Sequence, residues 1–199
     1  MNSFDVVDKF EREIAKFAGA QYCVAVNSCT NALFLALRYV LTQTTRKGGA
    51  VKLPAHTFVS VPMAVIQAGA RVEFVDYLWG GVYPLAPHDI WDGALRFRRG
   101  MYEGGLHCLS FHARKLLNIG EGGAILTNDL ETANWLRAAR YSGRTAPAYR
   151  IEDVTTMGFQ MYMTPEKAAR GLHLMEYIPD DLPDQVMEYP DLRTCKAFQ

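Results

Sequence analysis

Residues Ser110 to Asp129 read SFHARKLLNIGEGGAILTND, and this stretch decides the fold. The apolar run Gly105 to Leu109 precedes it and predicts a short buried strand. Ala124 to Thr127 predicts a second buried strand, stopped by Asn128-Asp129. Between them lie the Gly-rich turn Gly120-Glu121-Gly122-Gly123 and a lysine, Lys115, set among Ala113, Arg114, Leu116 and Leu117. A lysine in an apolar loop between two core strands is partly desolvated. Desolvation lowers its pKa and makes its amine a better nucleophile toward a carbonyl. The alternative is a solvated lysine on an ordinary β-hairpin.

Toward the N-terminus, Phe4, Val7, Phe10, Ile14 and Phe17 recur at helical spacing and predict an amphipathic helix ended by Gly19. Tyr22 to Val26 predicts a buried strand, and Asn27-Ser28-Cys29-Thr30 opens a helix that includes Ala32, Leu33 and Ala36. A strand running into polar residues at a helix start suits an anion, because the first N–H groups and the helix dipole face it. Simple N-capping by Asn27 or Ser28 explains the same residues. Arg46 to Gly49 predicts a turn and Ala50 to Leu53 a strand. Pro54-Ala55-His56-Thr57-Phe58 then leads into a helix ending near Ala68, and Arg71 to Val75 predicts another strand. Asp92 follows a short apolar stretch, Asp89 to Trp91, and reads either as a site carboxylate or as a helix cap. Arg96, Arg98 and Arg99 form a basic cluster that suits an anionic substrate or a solvated surface. Leu130 to Tyr141 and Glu166 to Tyr177 predict helices, with the loop Ser142 to Pro147 after the first and Thr164-Pro165 at the start of the second. From Pro179 onward the chain is rich in proline and acid and reads as an extended tail.

The 199 residues suit one domain with a sizeable core, so we expect an α/β body over 1–177 and a tail over 178–199. Lys+Arg and Asp+Glu both number 21, which gives no hint of nucleic acid or an acidic membrane surface. No apolar run approaches the ~20 residues of a membrane span. The four cysteines show no C-x-x-C pairing, which speaks against zinc and redox motifs, and a reducing cytoplasm is the simplest compartment.

These segments together resemble the DegT/DnrJ/StrS family of sugar aminotransferases, which are pyridoxal 5'-phosphate (PLP) enzymes of the aspartate-aminotransferase fold (fold type I). The motif S-F-H-x-x-K followed by G-E-G-G and T-N-D carries the resemblance, and the family's Schiff-base lysine matches Lys115. A lysine rather than a histidine there argues against the family's dehydratase branch. The resemblance implies a mostly parallel sheet with helices on both faces, shortened by loss of middle strands and of most of the small domain. It implies that Ser28, Cys29, Thr30 and Ser110 hold the cofactor phosphate, with Cys29 in place of the usual glycine. Phe58 would stack on the pyridine ring, although a core aromatic explains it equally, and Asp92 would keep the ring nitrogen protonated. Leu95 stands where the family has a polar residue. Tyr162 would reach the phosphate of the other subunit's cofactor, although a core aromatic explains it equally. Arg140 would lie near substrate, and His112 would meet it, although a structural histidine explains His112 equally. The implied activity moves an amino group from glutamate to a nucleotide-linked keto sugar in a homodimer with shared sites. The alternatives are a truncated PLP-fold protein that binds cofactor or a partner without transamination, and a cofactor-free interaction subunit.

Overall fold

The N-terminal segment DVVDKFEREIAKFA forms helix α1 (Asp5–Ala18), ended by Gly19 in the left-handed region at φ 86°. Only glycine adopts that conformation without cost, so the stop is local chemistry. The apolar stripe of α1 is buried, with Phe10 and Ile14 fully enclosed. Gly171 lets another helix approach, since a Cβ there would strike the Phe10 ring. The computed structural model describes residues 4–43, 49–145 and 154–199. Arg46 to Gly48 of the expected turn and Ala146-Pro147 of the expected loop lie outside them.

The elements follow in order: β1 (Tyr22–Val26), α2 (Cys29–Thr42), β2 (Ala50–Pro54), α3 (Ser60–Ala68), β3 (Arg71–Val75), β4 (Tyr83–Pro84), β5 (Ile90–Asp92), β6 (Leu106–Ser110), β7 (Gly123–Thr127), α4 (Leu130–Ala139) and α5 (Pro165–Met175). One sheet has the order β1-β7-β6-β5-β4, and β2-β3 form a parallel pair. The two meet where the Lys52 N–H donates to the Ala86 carbonyl at 2.7 Å. Strand side chains alternate between two cores. Val24, Val26, Cys108 and Ile125 pack toward α2, α3 and α4. Cys23, Ala25, Leu109, Ala124 and Leu126 pack toward α1 and α5.

The α/β architecture with helices on both faces is therefore as expected, but the sheet is mixed rather than mostly parallel. β5 and β6 run parallel, whereas β1–β7, β6–β7 and β4–β5 are antiparallel. The physical reason lies in the connections. A parallel crossover needs a dozen or more residues, usually a helix, and only Leu85 to Asp89 join β4 to β5, so the two pair as a hairpin.

β1 lies at the edge of its sheet, and a buried ion pair helps cover it. Glu11 of α1 accepts from the Ala25 N–H at 2.8 Å. Arg140, which follows α4, donates to the Ala25 carbonyl at 2.5 Å and to Glu11 itself. This corrects the expectation for Arg140, whose guanidinium ties α1, β1 and α4 together rather than meeting substrate. The Arg96–Arg98–Arg99 cluster is likewise occupied. Arg96 donates to Asp184 at 2.9 and 2.6 Å, Arg98 lies 3.7 Å from the same carboxylate, and Arg99 reaches Asp180 at 2.7 Å.

Residues 178–199 lie along their own chain as a strap. The Gln185 N–H donates to the Leu95 carbonyl at 2.8 Å and the Leu192 N–H to the Ala55 carbonyl at 3.0 Å. His56 Nδ1 donates to the Tyr189 carbonyl at 3.0 Å. Asp184 sits against Gly81, which has φ 69° and no room for a Cβ. Leu192 is buried, and the strap ends in two 3₁₀ turns, Leu192–Thr194 and Lys196–Phe198.

Two outcomes follow from these contacts. Arg140→Ala removes the close partner of the buried Glu11 carboxylate, leaving it the Ala25 N–H and the Arg137 guanidinium at 3.8 Å, and should cost about 3 kcal/mol in urea denaturation. Unchanged stability with lost activity would return Arg140 to the substrate. Asp184→Ala should raise hydrogen exchange at the Gln185 and Leu192 amides while leaving β1 and β7 protected; unchanged exchange would mean that Asp184 does not anchor the strap.

Candidate active site

The sheet, two helix starts and the strap enclose a cavity of about 150 Å³. Its floor comes from the strand ends. Asp92 closes β5, Ser110 closes β6, and Gly122 stands just before β7. The start of α2 supplies Ser28, Cys29 and Thr30, while Thr57, Phe58 and Ser60 come from the approach to α3. Trp79 and Leu95 line the wall, Lys115 and His112 come from the loop between β6 and β7, and the strap adds Met187 and Tyr189.

The start of α2 rests directly on β7. A Cβ at Gly123 would lie 2.5 Å from the Cys29 nitrogen and from the Ser28 carbonyl carbon, which explains the glycine at that point of the G-E-G-G turn. Ser28 caps the helix, its Oγ accepting from the Asn31 N–H at 3.1 Å. Cys29 is the first helical residue. Gly is needed where φ is positive, and Ser142 alone among the described non-glycine residues has such a φ, so the cysteine fits without strain. Thr30 Oγ1 lies 2.7 Å from Ser60 Oγ, so hydroxyls from two helix starts meet over the cavity. The first N–H groups of a helix have no carbonyl of their own helix to reach, and with these hydroxyls they favour an anion.

Asp92 is buried, which raises its carboxyl above the ordinary range. Two donors oppose that shift: the Ala94 N–H at 2.9 Å and the Tyr83 hydroxyl at 2.8 Å. The Lys115 charge acts in the same direction. Lys115 is half-buried, and desolvation lowers its pKa, with Cys29 and Asp92 partly offsetting that. Its Nζ lies 3.9 Å from the Met187 sulfur. Burial also pushes the Cys29 thiol well up, which keeps it protonated. β6 and β7 do pair as a hairpin, but the lysine faces the cavity rather than open solvent.

Phe58 is 48% exposed and stands at the cavity rim, edge-on to Tyr189 at 6.3 Å. Tyr189 in turn stacks on Trp79 at 6.1 Å and 13°. Leu95, standing where the family has a polar residue, is buried and presents an apolar wall. The structure thus brings together Ser28, Cys29, Thr30, Phe58, Asp92, Ser110, His112 and Lys115. It does not bring Arg140 or Tyr162 to this cavity. Tyr162 packs edge-on against Phe4 at 5.5 Å and Tyr141 at 5.3 Å.

Sequence reading missed Ser60, Trp79, Tyr83, Met187 and Tyr189 as site residues. A serine two positions past Phe58, at a helix start, was a usable signal for Ser60. Met187 and Tyr189 sit in a segment without periodicity, where no local pattern points to a cavity.

Residues 1–82 and 98–185 match the DegT/DnrJ/EryC1/StrS aminotransferase family. The spore coat polysaccharide biosynthesis protein SpsC of Bacillus subtilis (strain 168) is 29% identical over 87% of this chain and 57% of its own length. The dTDP-3-amino-3,4,6-trideoxy-alpha-D-glucose transaminase of Micromonospora megalomicea subsp. nigra is 30% identical over 69% of this chain and 48% of its own. The chain thus spans about half the length of the curated relatives it matches. Helicobacter pylori PseC, an aminotransferase involved in the biosynthesis of pseudoaminic acid, superposes with TM-score 0.75 at 17% identity, over 88% of this chain and 58% of its own. AtS13 from Actinomadura melliaura gives TM-score 0.75 at 24% identity, over 87% of this chain and 60% of its own. The two structures establish the fold, that of the PLP-dependent transferases of fold type I. No described helix is long and apolar enough to cross a membrane. Because the family match takes in the cavity's lysine loop and both of its helix starts, this chain belongs to the DegT/DnrJ/EryC1/StrS aminotransferase family.

Proposed function

We propose that this protein is a PLP-dependent aminotransferase that moves an amino group from glutamate to a nucleotide-linked keto sugar. One observation carries the reading: a half-buried lysine and a buried carboxylate line one cavity beneath a helix start that bears hydroxyls. The donor set fits PLP on its own chemistry. Lys115 offers an amine of depressed pKa, able to hold an aldehyde. Asp92 offers an anion suited to a protonated ring nitrogen. Ser28, Thr30 and Ser110, with the first N–H groups of α2, suit a phosphate. Phe58 gives a flat apolar face at the rim.

Bound there, PLP supplies the electron sink that amino-group transfer requires. The chain's own residues supply the rest. With PLP bound, Lys115 would be the group that takes a proton from the substrate carbon and returns one, acting as base and then acid. Asp92 holds a proton at the ring nitrogen. Cys29, neutral and buried, fills the space beside the helix start without adding charge. His112, on the exposed side of the lysine loop, is the substrate-side residue. Residues 1–177 form the cofactor-binding body, and 178–199 close it. A homodimer accounts for Tyr162, which does not line its own cavity and would serve the site of a second copy. A soluble cytoplasmic enzyme suits free thiols and nucleotide-linked substrates.

A second reading, cofactor binding without transamination, would draw on the apolar wall at Leu95 and the Met187 sulfur beside Lys115, although the relatives support transamination. Absorption spectra of the protein with PLP, before and after glutamate, separate the two. Bleaching of the visible band by glutamate, with borohydride trapping mapped to Lys115, is the expected result. A trapped adduct that ignores glutamate would favour the binding role, and no adduct would overturn both. The depressed pKa of Lys115 sets a sign as well. Its amine is neutral at lower pH than an ordinary lysine, so pulse acetylation should reach half-maximum at Lys115 at lower pH than at the surface lysines. A coincident profile would show Lys115 to be solvated.

A further inference from the structure

Asp92 is held by a chain of two hydroxyls, those of Tyr83 and Thr57. Tyr83 and Asp92 are direct partners in the antiparallel register of β4 and β5. Direct partners project to the same face of a sheet. The Tyr83 ring is 1% exposed and packs edge-on against Trp79 at 4.5 Å. Its hydroxyl lies 2.8 Å from Asp92 Oδ2 and 2.6 Å from Thr57 Oγ1. Residues 83–97, which include both Tyr83 and Asp92, fall outside the family match.

The protons can be counted. A tyrosine hydroxyl has one proton. Given to the carboxylate, it leaves the phenolic oxygen as an acceptor, so Thr57 donates to Tyr83. Asp92 Oδ1 accepts from the Ala94 N–H. Each carboxylate oxygen therefore takes one fixed donor, which locks the plane of the group and leaves lone pairs for a further donor. An ionised carboxylate is costly to bury without such bonds. Burial keeps the Tyr83 hydroxyl protonated, so the donor is present over the working pH range.

We propose that Tyr83, with Thr57 behind it, is a positioning residue whose hydroxyl holds Asp92 as an oriented anion, the form that keeps a proton on a heteroaromatic ring nitrogen. The other titratable groups around Asp92 come from four elements: Cys29 of α2, Cys108 of β6, Lys115 of the loop and Tyr189 of the strap. The two thiols are kept neutral by burial, which leaves Lys115 as the one charge among them. A lysine half in solvent is a movable partner, whereas Tyr83 is fixed in the core. The ring-nitrogen role rests on the cofactor reading above; the relay to Asp92 does not.

The test has two arms. In the first, protein free of cofactor and labelled with 13C at aspartate carboxyls is titrated by NMR, the Asp92 signal being assigned with Asp92→Asn. Tyr83→Phe keeps the ring and removes the donor, so Asp92 should titrate at higher pH than in the parent. Thr57→Val should give a smaller shift of the same sign, because it weakens the chain one bond further back. In the second arm, PLP affinity is followed by fluorescence. Tyr83→Phe should weaken it by about tenfold, the worth of a hydrogen bond to a charged group, with the deficit growing as pH falls. A drop in thermal midpoint with Asp92 titrating as in the parent would mark Tyr83 as plain core and overturn the proposal. If Tyr83→Phe does not fold, the Thr57→Val titration decides: no shift overturns the relay. Failure of the parent to bind PLP would sink the cofactor reading instead, leaving the first arm to judge the relay.

Discussion

The short connection from Val75 to Ile90 is the constraint on which the rest depends. Too little chain lies between Pro84 and Ile90 for a helical crossover, so β4 returns antiparallel beside β5. That reversal has three consequences. It carries Ala86 to Lys52, so the β2–β3 pair joins the main sheet. It places Tyr83 opposite Asp92, so a buried carboxylate has a buried donor. It sets Gly81 beneath the strap, where Asp184 takes the space a side chain would need.

Within the cavity, desolvation acts on Asp92 and Lys115 with the same aim, to remove their charges, raising one pKa and lowering the other. Their mutual attraction and the fixed donors on Asp92 act against it. The outcome differs for the two groups because their surroundings differ. Asp92 sits on a strand with two hydrogen bonds, whereas Lys115 sits on a loop with its Nζ 3.9 Å from a thioether. A group that must hold a proton at a fixed place suits the first setting. A group that must move a proton between two places suits the second.

The strap shows how one type of residue is put to structural use. Arg96 and Arg99 engage aspartates of the strap, and Arg98 lies beside one of them. The exposed Arg99 pair contributes little by itself. The partly buried fork of Arg96 on Asp184 is geometrically specific, and it fixes the chain just before Met187 and Tyr189 enter the cavity. The outer wall of the site is thereby supplied in cis, by residues beyond the family match.

What the sequence determined by itself was local. The helical stripe from Phe4 to Phe17, the stop at Gly19, the strands Tyr22–Val26 and Arg71–Val75, and the cap at Ser28 all follow from periodicities and residue types spanning a few positions. Lys115 and Asp92 were legible for the same reason, each beside a short apolar strand that had to be buried. Partners far apart in the chain were decided only by the tertiary structure. An arginine reads alike in sequence whether it meets substrate, a buried glutamate or a strap aspartate, and so the partners of Arg140 and of the Arg96 cluster were not legible there. The direction of β4 depended on the room left between two strands, and the roles of Tyr83, Met187 and Tyr189 depended on what that folding brought opposite them. Burial and pairing belong to the whole molecule, because the cost of an unpaired charge or hydroxyl arises only after long-range packing has removed the water.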